Sequence, residues 1–388
     1  GEARGGGRIM GAGPMKGGGK RALGLLLIAS LLILPGCWDR KELNEIALIR
    51  AIGIDRAEDG QIEVSLLQAI PQRAEDAGGG EKTGGTQRVL TARSINIPEA
   101  KEKLQQMLGR EIFTGHQEVV VFGERFARTG IGEALDYMAR QPQVRLDAVV
   151  FVCDGSPKEI FTTIPLAEIT ASESLYKLAR VERYTEISVM RVLREVTGDA
   201  KSTVIPVVKK TGQKALSLDG LALFRGDRMV DHLDRKSKEA LMWIRNEYTT
   251  GTVNARIKGE KGYVAMKVNR TKTELIPKLK GKKPRMIIRM TSENVLSYNG
   301  TGMNLYYPSN MDRIARAMES ELQKRLRNTV ERVQKNRADA FGFAGFFHRE
   351  YPEKWARMKK DWNERLFPRM DVDIEVHAKL RWPGMTDR

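Results

Sequence analysis

The sequence predicts a multi-domain α+β protein with mainly antiparallel sheets and packed helices, preceded by a lipoprotein signal peptide. Three observations support this fold class. Stretches of alternating apolar residues follow one another across short turn sequences, which is typical of β-hairpins. Amphipathic helices lie between them without the regular strand–helix–strand spacing of a parallel sheet. Hydrophobic residues make up 41% of the 388 residues, which is enough apolar surface for a packed core.

The N-terminal segment has the pattern of a lipoprotein signal peptide. Uncharged residues fill positions 22–34, basic residues stand at 16–21, and Gly36 precedes Cys37. A basic flank, a short apolar core and a small residue before the cut site are typical of secretory signals, and the core is too short for the roughly 20 residues of a membrane span. We expect cleavage between Gly36 and Cys37 and a diacylglyceryl group on the Cys37 thiol. Two acyl chains would hold the exported protein at the outer face of a membrane.

Composition divides the rest of the chain. Residues 1–20 are rich in glycine and lack periodicity, and Met15 would begin a signal peptide of ordinary length. A basic stretch broken by Pro206 marks a change in composition near residue 205. We predict an extension and signal peptide at 1–36, an α+β region at 37–205 with a linker near 73–86 that could separate two subdomains, and a C-terminal α+β domain at 206–388.

Periodicity places the elements of the first region. Apolar residues alternate on both sides of a polar turn at 55–60, which predicts a β-hairpin. Helices are predicted where apolar residues recur every three or four positions, one beginning at Pro98 and another ending at Gly198. The predicted elements are the hairpin at 43–71, helices at 98–108, 131–140 and 189–197, and strands at 118–123 and 148–153.

The second region is predicted by the same patterns. Its longest helix spans 309–337, where a single apolar stripe runs from Ile314 to Val333 and Ser309 with Asp312 forms a capping pair. The last strand alternates strictly between apolar and polar residues over 371–380, so one of its faces is expected to be buried. The other predicted elements are a hairpin at 221–230, a helix at 237–248 and strands at 264–268 and 286–290.

Charge points to an anionic partner. The chain carries a formal charge of +17, and +13 remains after the first 36 residues. Because we expect export, anionic lipid is a closer partner than nucleic acid. Residues 256–289 contain twelve basic and two acidic residues; the tip of this tract could contact a membrane or partner, or could be a solvated turn whose lysines prevent edge-to-edge pairing. The candidate contact residues are Lys278, Lys280, Lys282, Lys283 and Arg285.

No catalytic or metal-binding pattern is convincing, and we expect no cofactor. The four histidines lie far apart in the sequence without metal-ligand spacing. His116 and Glu118 could share one face of a strand as an acid–base pair, or His116 could be an ordinary turn residue. Cys153 lies in an apolar run, which favours a buried thiol. The aromatic-rich segment at 338–362 could form a binding surface, but packing beneath a helix is favoured.

Three stretches resemble the Ger(x)C spore-germination lipoproteins, the C subunits of germinant receptors. They are the opening Gly36-Cys37-Trp38-Asp39-Arg40 with Gly53-Ile54-Asp55, then Phe113-Thr114-Gly115-His116-Gln117, and finally the phenylalanine–glycine run and two tryptophans between Asp339 and Trp362. The resemblance covers essentially the whole chain after the signal peptide.

The resemblance implies a non-enzymatic lipoprotein on the inner membrane of a bacterial endospore. It implies several mixed α/β domains and, as partners, the A- and B-type integral membrane subunits of a receptor. Two other classes of function remain open. A solute-binding lipoprotein would show two lobes with parallel sheets and repeated βαβ units, and a cell-wall enzyme would need an acid–base pair or a metal site.

Overall fold

Two sheets organise the protein. The computed structural model describes residues 1, 44–70, 87–163, 165, 168–181, 187–212, 214–247, 250–281 and 283–381. Residues 47–388 form one unit, separate from residues 1–46. Among the described residues, nine strands form the first sheet: β1 (Ile46–Arg56), β2 (Ile62–Ala69), β3 (Gln87–Ser94), β4 (Glu111–Phe113), β5 (Val119–Gly123), β6 (Val149–Cys153), β7 (Ser202–Lys210), β8 (Leu216–Arg225) and β9 (Arg228–Leu233).

The first sheet has a parallel centre between antiparallel flanks. Its order is β3-β2-β1-β5-β6-β7-β8-β9, with β4 beside β1. The two predicted hairpins are confirmed as β1–β2 and β8–β9. Strands β1, β5, β6 and β7 pair in parallel, which the sequence did not predict. The predicted α+β class with mainly antiparallel sheets is nevertheless confirmed.

Helices cover both faces of this sheet, which explains the uninterrupted apolar runs of its central strands. In β5, Val120 and Phe122 pack into one apolar cluster, whereas Val119 and Val121 pack into another. The first cluster includes side chains of α1, α2, α3 and α6, and the second includes side chains of α4 and α5. These helices are α1 (Ile97–Gln106), α2 (Glu124–Thr129), α3 (Gly132–Arg140), α4 (Pro157–Thr162), α5 (Ala171–Val181) and α6 (Val189–Thr197).

The second sheet is built on a long hairpin and has the order β10-β11-β12-β13. Strands β11 and β12 pair antiparallel, and β13 returns to pair in parallel with β12. The four strands are β10 (Gly251–Ala255), β11 (Val264–Lys280), β12 (Lys283–Asn299) and β13 (Asp371–Arg381). The helical segments of this half are α7 (Arg235–Ile244), α8 (Pro308–Lys335), α9 (Phe343–Glu350), α10 (Pro352–Met358), a π-helical turn at Trp362–Leu366 and a 3₁₀ turn at Phe367–Arg369.

Helix α8 lies against the second sheet and approaches both of its edge strands. Its predicted apolar stripe is confirmed, since Ile314, Met318 and Leu322 are buried. Gln323, on one flank of the helix, donates a hydrogen bond to the Ile374 carbonyl of β13. On the other flank, Ser320 lines a groove beside β10. The helix therefore reaches from one edge of the sheet to the other.

The predicted capping pair at the start of α8 is wrong. The helix begins one residue earlier, with Tyr307 as N-cap and Pro308 in the first turn, and no side chain caps it. The fixed φ of proline favours that first position, which places Ser309 inside the helix. Helix α7 is also shorter than predicted, because Asn246 adopts a left-handed φ of 57° and its side chain bonds the backbone of Thr273.

One apolar core joins the two sheets. The cluster that begins in β1 continues through α7 and α8 into β13. The predicted domain boundary at 205/206 falls inside β7, and β8 and β9 extend the first sheet beyond it. The assignment of domains at 37–205 and 206–388 stays a prediction. Among the described residues, no helix combines the length and apolar character needed to cross a membrane.

Candidate functional site

The predicted anchor lies outside the described residues. Gly36 and Cys37 fall there, as does the predicted linker at 73–86. Cleavage and acylation therefore stay predictions. Cys153, the other cysteine, lies within β6 and is fully buried. Burial raises the pKa of its thiol well above the usual value, so the thiol is protonated and unreactive. This agrees with the expected structural role.

The predicted basic tip is the far end of the β11–β12 hairpin. The last paired residues are Lys280 and Lys283. Both are exposed, as is Lys278, whereas Lys282 is outside the described residues. Arg285 is also exposed but is engaged, because it forms an ion pair with Asp373 of β13. Its contribution to an external contact is therefore smaller than that of the lysines.

The possible acid–base pair of His116 and Glu118 does not form. Glu118 instead accepts a hydrogen bond from Arg50 Nη2 at 2.7 Å, and the His116 ring packs near the ring of Phe113. The Glu118 carboxylate is therefore bonded to Arg50 and not to His116. Within the described ranges, no group of three or more His, Cys, Asp or Glu side chains is placed to hold a metal ion.

The aromatic-rich segment packs in the core, which is the alternative that the sequence favoured over a binding surface. Trp355, Trp362 and Phe347 are buried. The two tryptophan rings meet edge to face at 5.2 Å, and the Phe347 ring lies 5.1 Å from that of Trp362. Aromatic contacts of this geometry contribute about 0.5–1.5 kcal/mol beyond area burial.

A buried carboxylate organises this aromatic cluster. Asp339 is fully buried and accepts hydrogen bonds from the backbone N–H groups of Phe343 and Ala344, at 3.0 and 2.7 Å, and from Trp362 Nε1 at 2.9 Å. Burial raises the pKa of Asp339, and these hydrogen bonds oppose that rise. Asp339 belongs to the last of the three family stretches, but its role as a hydrogen-bond acceptor was not predicted from the sequence.

The first family signature is also explained by close packing. A Cβ atom at Gly53 would overlap Pro157 in α4. Asp55 is buried with its carboxylate against Gly123, where an added Cβ would overlap the carboxylate. Burial raises the pKa of Asp55, although its Oδ2 lies 3.5 Å from Arg125. The signature residues therefore hold β1 against its neighbours.

Ion pairs join the two halves of the chain. Arg191 in α6 binds Glu195 at 2.9 Å and Glu247 at 2.6 Å. Arg245 also pairs with both glutamates and donates to the Ala340 carbonyl at 3.1 Å. Because this ion-pair network is partly buried, removing one of its members would leave the charges of the others uncompensated and would destabilise the fold.

A basic groove lies between the flank of α8 and residues 254–258, which are the end of β10 and the segment after it. Its volume is about 790 Å³. Arg256, Lys258, Arg316 and Lys324 line it and are exposed. The first two of these belong to the basic tract at 256–289, but the groove was not predicted from the sequence, because its other wall is formed by residues of α8 about 60 positions later.

Comparisons with known proteins give one consistent result. A family model described as the spore germination protein N-terminal domain matches residues 39–210, and one described as spore germination B3/GerAC like, C-terminal, matches residues 219–384. Spore germination protein KC of Bacillus subtilis (strain 168) is 27% identical over 394 residues, covering 94% of this chain and 96% of its own. Spore germination protein YndF of the same strain is 26% identical over 404 residues, covering 94% and 98%.

A solved structure supports the fold. The crystal structure of the GerBC protein has a TM-score of 0.57 to this chain at 18% identity, covering 85% of this chain and 96% of its own. At that identity the likeness shows a shared fold.

Proposed function

The chain belongs to the Ger(x)C family of spore germination proteins, and from this we propose that it is a non-catalytic lipoprotein subunit of a nutrient germinant receptor. Its site of attachment is Cys37, through a diacylglyceryl group, and its location is the outer face of the spore inner membrane. The observation that carries the proposal is the match of both family models, in order, over residues 39–210 and 219–384.

The chemistry of the described residues supports a role in assembly. The polar signature residues Asp55 and Asp339 are buried and bonded to their own chain. Glu118, the best sequence candidate for a proton acceptor, is paired with Arg50. Groups committed in this way stabilise a fold and leave little free chemistry for turnover.

The partners in this proposal are the A- and B-type integral membrane subunits of the receptor. Eight residues lie between Cys37 and Ile46, so the nine steps along the chain span at most about 32 Å when fully extended. A protein acylated at Cys37 would thus keep the start of β1 near the bilayer, within reach of membrane-embedded subunits. Nucleic acid is not a partner in this proposal.

The alternative, a solute-binding lipoprotein of a transporter, requires two similar lobes with parallel sheets. The first sheet has a parallel centre, but the second consists of an antiparallel hairpin of two 17-residue strands with one further strand on each side. This difference between the two sheets supports a receptor subunit over a solute-binding lipoprotein. A rise in melting temperature of the purified protein with a nutrient such as an amino acid would favour the alternative.

The test replaces the gene in the source organism by versions encoding the wild type, Cys37→Ala or Cys153→Ala. We expect Cys37→Ala to abolish incorporation of labelled palmitate, release the protein from the membrane fraction and slow germination with at least one nutrient. Cys153→Ala is the matched control, since it removes the other cysteine and should keep all three properties. Normal acylation of the Cys37→Ala protein, or normal germination after deletion in a strain without paralogues, would contradict the proposal.

A further inference from the structure

The two edges of the second sheet differ in how they are covered. At the β13 edge, Gln323 Nε2 donates to the Ile374 carbonyl at 2.8 Å, and the Ala378 N–H donates to Glu319 Oε1 at 3.0 Å. Side chains of α8 therefore bond outward-facing groups of that strand. At the other edge, β10 pairs only with β11 among the described residues, and a groove opens where the end of β10 and the residues after it meet the flank of α8.

A groove between an edge strand and a helix suits an added strand. The unpaired N–H and C=O groups of an edge strand form a template for the backbone of another chain. Recognition by β-strand addition uses these backbone bonds for affinity and neighbouring pockets for selectivity. The groove wall opposite β10 is formed by six residues of α8, which are Arg313, Arg316, Ala317, Ser320, Glu321 and Lys324.

The charge of the groove selects the occupant. Arg256, Lys258, Arg316 and Lys324 form no ion pair in the part of the chain that the structure describes. The groove also contains Arg313, which is bound to Glu260 at 2.7 Å. Several exposed cations in one concavity attract acidic groups and disfavour basic ones.

Aromatic side chains mark the end of the groove. Tyr263 lines it and is 45% exposed, and Tyr298, beside it, is 52% exposed. Their ring centroids lie 5.3 Å apart. Exposed tyrosines are enriched where proteins bind other proteins, so the combination favours a polypeptide over a simple ion.

We propose that the groove between β10 and α8 binds an extended, acidic segment of a partner protein as an additional strand on β10. A polypeptide fits this concave site better than a lipid surface, because its backbone can use the strand edge while its acidic side chains reach the arginines and lysines. The proposal goes beyond the receptor role and does not depend on acylation of Cys37.

The test measures binding of a fluorescein-labelled ten-residue peptide of alternating Glu and Val to the purified full chain by fluorescence anisotropy. We expect saturable binding that weakens with salt. A second peptide of the same sequence, N-methylated at every other amide, keeps the charge but cannot form a ladder, and should bind at least tenfold more weakly. The variant Arg256→Glu/Arg316→Glu/Lys324→Glu should lose binding of the unmodified peptide by at least tenfold.

The matched control is Lys278→Glu/Lys280→Glu/Lys283→Glu, which makes the same change of charge at the tip of the β11–β12 hairpin. It should bind the peptide within twofold of the wild type, and circular dichroism would verify that both variants are folded. Equal binding of the two peptides, unchanged binding by the groove variant or no binding by the wild type would overturn the proposal. Binding of phosphatidylglycerol vesicles through the groove, without peptide binding, would also overturn it.

Discussion

The carboxylate of Asp199 accepts a hydrogen bond from Nδ1 of His348 at 2.6 Å, across 149 positions of sequence. The other oxygen of Asp199 lies 3.3 Å from Nε1 of Trp355. Close by, the Asn363 side chain donates to the Ala200 carbonyl at 2.7 Å. The loop after α6 is thus bound to the aromatic segment that carries the last family signature.

Removal of this acceptor should destabilise the protein. Asp199→Ala leaves the indole N–H of buried Trp355 without its bond, so we expect a loss of about 1–3 kcal/mol in the free energy of unfolding. His348→Ala is the comparison, because the half-exposed ring should contribute less than about 1 kcal/mol. Urea denaturation measures both values, and a larger loss in His348→Ala would contradict this account.

Asp339 should be among the most sensitive positions. Asp339→Ala removes the acceptor of three buried donors, and we expect a loss of about 3–5 kcal/mol. Asp339→Asn keeps one acceptor oxygen and should lose less. Chemical denaturation of both variants tests the order, and a smaller effect of the alanine would argue against the proposed role.

The same residue should produce a pH dependence of defined sign. Burial raises the pKa of Asp339 above its usual 3.8. At a pH between the usual and the raised value, Asp339 therefore keeps its proton in the native state and has lost it in the unfolded state. This stabilising contribution is complete below about pH 4 and is lost as the pH rises through the raised pKa. The unfolding free energy of the wild type should therefore fall relative to that of Asp339→Asn as the pH increases from 4. A relative rise in this window would show the opposite shift.

Gly123→Ala should be costly because of one neighbour. Its added methyl group would overlap the buried carboxylate of Asp55, and overpacking of this kind typically costs about 1–3 kcal/mol. In an Asp55→Ala background the penalty should shrink, which a double-mutant cycle would detect. Gly109→Ala, where the Cβ atom meets nothing within 4 Å, is the control and should change stability by less than about 0.5 kcal/mol.

Cys153 should resist modification in the native protein. Its thiol is buried and its pKa is raised by that burial. In a Cys37→Ser background it is the sole cysteine, and we expect a disulfide reagent to label it only after unfolding in urea. Adding exposed Lys236→Cys should introduce one rapidly reacting thiol per molecule. Rapid native labelling of Cys153 itself would contradict its burial.

The basic tip should give the unacylated protein a weak affinity for anionic membranes. Each lysine near such a surface contributes about 1 kcal/mol. We expect the Cys37→Ala protein to co-sediment with phosphatidylglycerol vesicles at low salt, and Lys278→Glu/Lys280→Glu/Lys283→Glu to abolish this. Absence of co-sedimentation would leave the tip as a solvated turn.

The control for that experiment places the same charge change elsewhere. Lys158→Glu/Lys210→Glu/Lys236→Glu alters three exposed lysines that lie outside the second sheet. It should reduce co-sedimentation only slightly. Equal effects of the two triple variants would mean that net charge, and not the tip, drives the attraction.

Local sequence patterns predicted most of the helices and strands, but few of the pairings between strands. Alternation identified β1, β2 and β13, and the apolar stripe from Ile314 identified α8. A strand buried on both faces, such as β5, has the same apolar run whether its neighbour is parallel or antiparallel. The parallel pairing of β1 with β5 depends on the helices that return the chain, and their packing is decided by distant residues.

The site showed the same limit. His116 and Glu118 are neighbours in sequence, so a pair was conceivable, but Arg50 on an adjacent strand binds Glu118 instead. The groove beside β10 could not be foreseen, because Arg256 and Lys324 belong to elements separated by the whole β11–β12 hairpin. The run of basic residues at 256–289 indicated only the wall that contains Arg256 and Lys258.

The late return of β13 bears on how this chain acquires its structure. Arg285 in β12 aligns with Asp371, so the sheet is completed only when residues more than eighty positions downstream are present. Contacts between such remote segments slow folding, because a long loop must close before any of them form. A chain shortened ahead of Asp371 would leave the β12 backbone open along one side, and intermolecular aggregation through that strand would compete with maturation.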